Sequence, residues 1–110
     1  PLIQSLYNCT YFTKTDDGLT GDYILVQLEY LSIENQKTGH ELLGRTAEEN
    51  TDIQMKNYVI YQEDGNINCV LLGLSDNKYI RVDRSDGTVI SNEELLNTAI
   101  NISKEIKEYK

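Results

Sequence analysis

Ile67 to Ile106 reads INCVLLGLSDNKYIRVDRSDGTVISNEELLNTAINISKEI, a run that parses into two strands, a tight turn, a third short strand and a capped amphipathic helix. Between Ile67 and Leu74 the residues are nearly all apolar, with Ile67, Cys69 and Leu71 directed to one face and Val70, Leu72 and Leu74 to the other. A strand that asks for burial on both faces belongs in the middle of a sheet, with a helix layer on one side. Ser75-Asp76-Asn77 breaks the run, Lys78 to Asp83 resumes alternation, and Ser85-Asp86-Gly87 turns the chain before Thr88-Val89-Ile90. Ser91 stands three residues before Glu94, the spacing at which a hydroxyl and a carboxylate each satisfy an unpaired N–H of a first helical turn. Leu95, Ala99, Ile102, Ile106 and Tyr109 then share one stripe, which predicts a helix lying on the sheet. Glu93 and Glu94 at its start and Lys104, Lys107 and Lys110 at its end complement the helix dipole.

Working back toward the N-terminus, Met55 to Gln62 alternates, and Glu63-Asp64-Gly65-Asn66 joins it to Ile67 as a hairpin turn. Asp22 to Leu31 is a strand with Ile24, Val26, Leu28 and Tyr30 on one face and Gln27 and Glu29 on the other. Tyr7 to Lys14 alternates more loosely and closes on Asp16-Asp17-Gly18, a turn sequence. Ser32 to Asp52 is polar, contains Gly39 and Gly44, and reads as loop with one helical turn. The expected fold class is α+β: a twisted, mainly antiparallel sheet of about five to six strands with the C-terminal helix packed on one face.

With 110 residues, 39% apolar and 25% charged, the chain makes one domain with a small core and is not disordered by composition. No stretch reaches the roughly 18 to 20 apolar residues of a membrane span. Cys9 and Cys69 each sit in an apolar run, where a thiol acts as a small hydrophobe, and a disulfide is not expected. A cytoplasmic setting is the expectation, although a first residue other than Met leaves room for an upstream segment. Eighteen acids against ten bases give a net charge of −8. Eleven acids and four bases fall in residues 1–70, seven acids and six bases in residues 71–110. A field of that sign repels phosphate backbones and anionic lipid and attracts basic protein. Nucleic acid and membrane are therefore not expected as partners.

The residues also exclude chemistries. His40 is the only histidine and lies far in sequence from both cysteines, so neither a zinc site nor a nucleophile with an imidazole base is expected. It reads as a solvated loop histidine. Counting back from Gly18, Gly65 or Gly87 as the sixth position of a calcium loop puts Thr13, Ile60 or Val82 where a carboxylate is required. Gly73 to Asn77 lacks the second glycine of a nucleophile elbow, and no Gly-rich phosphate loop occurs. Adjacent carboxylates such as Asp16 and Asp17 point apart on a strand or helix, so adjacency makes no acid–base pair. Catalysis, cofactors and metals are not expected. Tyr79 shares an outward face with Arg81 and Asp83 if Ile80 and Val82 point in, and tyrosine supplies stiff contact area with a polar tip. Lys78, Arg81 and Arg84 alternate with acids and read as a solvated face.

Leu72-Gly73, then Lys78-Tyr79-Ile80-Arg81-Val82-Asp83, then Asp86-Gly87-Thr88-Val89, then Ser91-Asn92 opening the last helix, form a pattern that resembles the C-terminal half of SUKH superfamily domains. The resemblance spans about 40 of the 110 residues. It departs at the N-terminus, where such domains begin with helices and Leu2 to Leu6 is too short to supply them. It implies, for bacterial members, an immunity protein that binds and neutralises a toxin such as a nuclease.

Charge and resemblance converge on a small acidic inhibitor of a basic protein partner, of unspecified oligomeric state. Its contact residues are expected among Asp16, Asp17, Asp22, Glu29, Glu48, Glu49, Asp52, Glu63, Asp64 and Tyr79. Two other readings are open: a small-molecule sensor enclosing a pocket, and a structural interaction domain cut from a larger protein.

Overall fold

The computed structural model describes residues 9–15, 18–85 and 90–108. Six strands form one sheet: β1 (Cys9–Thr15), β2 (Gly18–Glu29), β3 (Thr46–Glu48), β4 (Asn57–Tyr61), β5 (Ile67–Ser75) and β6 (Lys78–Arg84). Their spatial order is β1-β2-β6-β5-β4-β3, and every neighbouring pair is antiparallel. Helix α1 (Ile33–Leu42) joins β2 to β3, and helix α2 (Asn92–Glu108) closes the chain. The fold is α+β, with α2 packed against the sheet.

The two faces of the sheet carry separate cores. Beneath α2, Ile24, Val26 and Leu28 of β2 meet Val59, Val70, Leu72, Ile80 and Val82 and the helix stripe Leu95, Ala99, Ile102 and Ile106. The opposite face is covered in part by α1, where Ile33 joins Tyr58, Ile60, Cys69, Leu71 and Tyr79. β5 therefore lies inside the sheet with helices on both faces, not on one. Its face assignment also changes at one residue. The register slips between Ile60 and Tyr61, so that Ile60 faces Cys69 and Tyr61 faces Ile67. Asn68 is the extra residue of that bulge, and it returns Ile67 to the face of Val70 and Leu72.

The turns follow the sequence. Gly65 takes φ of +87°, Gln62 N–H donates to Asn66 O at 2.8 Å, and Asn66 N–H donates to Asp64 Oδ1 at 2.9 Å. At the start of α2, Glu94 N–H donates to Ser91 Oγ at 3.1 Å, the expected cap. Thr88 and Val89 lie outside the described residues; Ile90 is fully buried in the α2 core but sits in a bend, not a strand. Tyr109 also lies outside them.

The stretch 32–52 departs most from its reading as loop. Ser32 caps a ten-residue helix, its Oγ accepting from Asn35 N–H. The helix ends in the two-bond αL cap that glycine permits: Gly44, at φ +84°, donates to Glu41 O, and Arg45 N–H donates to His40 O. Ile33 is the one buried residue of α1, and that near-absence of an apolar stripe hides the helix from periodicity.

Candidate functional site

The edge of the sheet at β3 gathers six of the eleven exposed acids among the described residues. Glu41 lies in the last turn of α1 beside exposed Leu42 and Leu43, Glu48 ends β3, Glu49 and Asp52 follow, and Glu63 and Asp64 lie in the β4–β5 turn. β3 pairs with β4 so that Thr46 faces Tyr61, which brings Leu43-Gly44-Arg45 alongside Gln62-Glu63-Asp64. These six residues line a shallow depression of about 380 Å³. A Cβ on Gly44 would lie 3.1 Å from Glu63 Oε1, so the carboxylate sits against the glycine. At a rise of about 3.3 Å per residue, the five residues of β4 set the acidic rim at roughly 17 Å long.

Asn57 holds the far end of that rim. Its side chain is buried at 4% exposure; Oδ1 accepts from Asn50 N–H at 2.8 Å, and Nδ2 donates to Met55 O at 2.9 Å and Asn50 O at 3.2 Å. Asn50 Oδ1 in turn accepts from Asp52 N–H at 2.9 Å. One amide thus shapes the loop that displays Glu49 and Asp52.

The bases of this region are engaged elsewhere. Lys56 pairs with Glu34 at 2.9 Å, the salt bridge of the described residues. Lys37 and Lys56 both lie over the Tyr58 ring, 5.2 and 5.1 Å from its centre. Tyr58 Oη donates to Glu34 Oε1 at 2.8 Å. The Lys56 ammonium, and after it the Tyr58 hydroxyl, hold the Glu34 carboxyl below its ordinary range. Arg45 Nη1 donates to His40 Nδ1 at 2.9 Å. With these three bases occupied, Glu41, Glu48, Glu49, Asp52, Glu63 and Asp64 have no basic nitrogen within ion-pair distance among the described residues.

Of the other expected contact residues, Glu29 and Tyr79 do not join the rim. Asp16 and Asp17 lie outside the described residues, as does the side chain of Asp22, whose backbone runs in β2. Glu29 ends β2 opposite Tyr79, four strand spacings or about 19 Å from β3. Tyr79 does share a face with Arg81, but that face is covered by α1 and the ring is 3% exposed. It is a core residue and offers no contact area. Burial, then the Glu29 carboxylate, raises its hydroxyl pKa.

Arg81 and Arg84 are half-buried, not a solvated face. Arg81 Nη2 donates to Gln27 Oε1 at 2.7 Å, while its Nε is buried without a hydrogen-bond partner. His40 sits on the last turn of α1, half-buried on the sheet, its Nε2 3.9 Å from Cys69 Sγ. The exposed leucines at the end of α1 are what sequence reasoning missed; Gly44 following Leu42-Leu43 was the available sign of a helix end.

A larger groove of about 440 Å³ runs between the start of α1 and the β5–β6 hairpin, lined by Ser32, Glu34, Lys56, Asp76 and Asn77 among others. Within it Lys56 is engaged with Glu34, and Ser32 Oγ with Asn35 N–H. Among the described residues no group of three or more His, Cys, Asp or Glu is placed to hold a metal ion. No helix among them is long and apolar enough to cross a membrane. No protein-family model, no curated protein and no solved structure matches the chain.

Proposed function

We propose that the protein is a cytoplasmic inhibitor of immunity type, which docks the β3 edge onto a basic protein partner such as a bacterial toxin nuclease. The observation that carries this reading is the pairing pattern at that edge. Lys37, Arg45 and Lys56 are engaged with Tyr58, His40 and Glu34, while six carboxylates along the rim face solvent. Unpaired surface acids repel one another, and a basic partner relieves that repulsion while being steered toward the rim. Leu42 and Leu43, 83% and 71% exposed, supply apolar contact that charge alone does not, because the fully desolvated centre of an interface carries most of its energy. The resemblance of residues 72–92 to SUKH domains points to the same class of partner.

The test is titration calorimetry against the purified basic product of the neighbouring gene, at about 50 and 300 mM NaCl, a range over which the screening length falls well below the rim's extent. Binding should weaken with salt, and Glu63→Lys with Asp64→Lys should lower affinity about tenfold or more. Absence of binding, or binding indifferent to salt and to the charge reversals, would overturn the proposal.

A further inference from the structure

Helix α1 is fastened to the sheet unevenly. At its N-terminal end Ile33 is buried, and Glu34 is held by Tyr58 and Lys56. Toward its C-terminal end the groups that reach the sheet are Lys37, over Tyr58, and His40, against Cys69. Leu42 and Leu43 follow after Glu41 and turn outward.

The protonation state of His40 can be derived from its partner. Arginine only donates, so the 2.9 Å contact between Arg45 Nη1 and His40 Nδ1 requires a lone pair on Nδ1. The neutral ring with its proton on Nε2, the nitrogen 3.9 Å from Cys69 Sγ, is the form that satisfies this contact. A second proton would have to go on Nδ1. It would abolish the Arg45 bond and set an imidazolium beside two guanidiniums, those of Arg45 and Arg81.

We propose that His40 is a proton-sensitive latch: neutral, it holds the C-terminal turn of α1 on the sheet; protonated, it releases that turn together with Leu42 and Leu43.

The charged and titratable surroundings support this. Arg45 faces the ring from the α1–β3 turn, Arg81 and Asp83 from β6, and Cys69 from β5. Tyr58 on β4 is turned to Glu34, and Glu48 of β3 lies at that strand's far end. On α1 itself Lys37 faces Tyr58, and Glu41 is exposed. Burial first, then Arg45 and Arg81, lowers the His40 pKa below its ordinary 6.5, with Asp83 opposing. A lowered value in the folded chain means that the unfolded chain takes up the proton first as pH falls. The latch is therefore fully closed above pH 6.5 and weakens below it.

The consequence for docking rests on the proposed function, since Leu42 and Leu43 flank the acidic rim; the latch itself is read on the free protein, so the two fail separately. The experiment follows amide exchange protection and the His40 ring signals by NMR from about pH 7.5 to 5. Leu43, Gly44 and Arg45, whose amides close the end of α1, should lose protection several-fold as the ring titrates below the ordinary histidine value, while Val70 and Leu71 in β5 keep theirs. His40→Gln, which accepts from Arg45 but does not titrate, should keep all three protected throughout. Ring titration at or above the ordinary value, unchanged protection in the wild type, or the same loss in His40→Gln would overturn the latch. Should His40→Gln fail to fold, the wild-type ring and amide titrations decide alone.

Discussion

Arg84 Nη2 lies 2.9 Å from Asn92 Oδ1, and through that contact the end of β6 is tied to the start of α2. Asn92 Oδ1 also accepts from Ile67 N–H at 3.0 Å, and Arg84 reaches Ile67 O at 2.7 Å and Ile90 O at 2.8 Å. With Asn92 Nδ2 donating to Gly65 O at 3.2 Å, the pair satisfies four backbone groups at the point where the last strand, the hairpin before β5 and the closing helix meet. Arg84→Ala leaves two half-buried carbonyls unpaired, at about 1 to 3 kcal/mol each. With a urea slope of about 1 to 3 kcal/mol per molar, the unfolding midpoint should fall by about 1 M or more. Arg84→Lys should recover only part, because an ammonium cannot span three acceptors as a planar fork does.

Asn57 should behave similarly at the acidic rim. Asn57→Ala removes the acceptor of Asn50 N–H and the donor to Met55 O, at about 2 to 4 kcal/mol in a buried setting. The specific signature is local: amides of residues 50–53 should exchange fast in this variant while those of α2 stay protected. Uniform loss of protection across the molecule would show that Asn57 supports the core as a whole and not the loop.

These two asparagines show where sequence reading stops. Ser91 with Glu94, the α2 stripe and the Asp64-Gly65 turn were legible because each rests on local spacing that one element satisfies alone. Arg84 bonds across elements and Asn57 into the loop before its own strand, and alternation marks such a residue as outward whether it meets water or the rest of the chain. Tyr79 is misplaced by the same limit: period two says that it opposes Ile80, not that α1 covers it. The helix itself carries its signals at its ends, Ser32 and Gly44, and almost none in its middle. Of the acids, Glu48, Glu49, Asp52, Glu63 and Asp64 come together because β3 pairs with β4, a pairing that no short-range pattern in residues 32–52 announces.

Two glycines around α1 should respond in opposite directions. Gly39 lies inside the helix, and a methyl added there would have nothing within 4 Å, so Gly39→Ala should stabilise by about 0.5 to 1 kcal/mol through helix propensity. Gly44→Ala forces an L-residue to φ +84° and places a methyl 3.1 Å from Glu63 Oε1, and should cost about 1 to 2 kcal/mol. Thermal melts of both variants check the signs, and equal effects would show that the turn after α1 is not held in the left-handed conformation.

Gly73 makes a tighter prediction about the second core. Its N–H donates to Lys56 O at 2.7 Å, and a Cβ would meet Lys56 Cγ at 3.0 Å, Lys56 Cβ at 3.1 Å and Ile33 Cδ1 at 3.3 Å. Lys56 Cβ cannot swing away as the end of a flexible chain can, and Ile33 is the buried anchor of α1. Gly73→Ala should therefore destabilise by about 1 to 3 kcal/mol, as overpacking does, and should loosen the start of α1 before the sheet.

Cys69 is a free thiol at 1% exposure. Burial, and after it the Asp83 carboxylate, pushes its pKa up to about 12. Thiolate is the reactive form, so at pH 8 the folded chain should alkylate at Cys69 far more slowly than the chain in urea. Because the folded value lies above the ordinary 9.0, the buried thiol contributes stability that is complete below pH 9 and is lost as pH rises toward 12. Mass spectrometry of the peptide carrying Cys69, after timed exposure to iodoacetamide with and without urea, separates this site from Cys9. Equal labelling in both conditions would mean that the α1 face opens readily at neutral pH, and would remove the packed Cys69 against which the His40 ring rests.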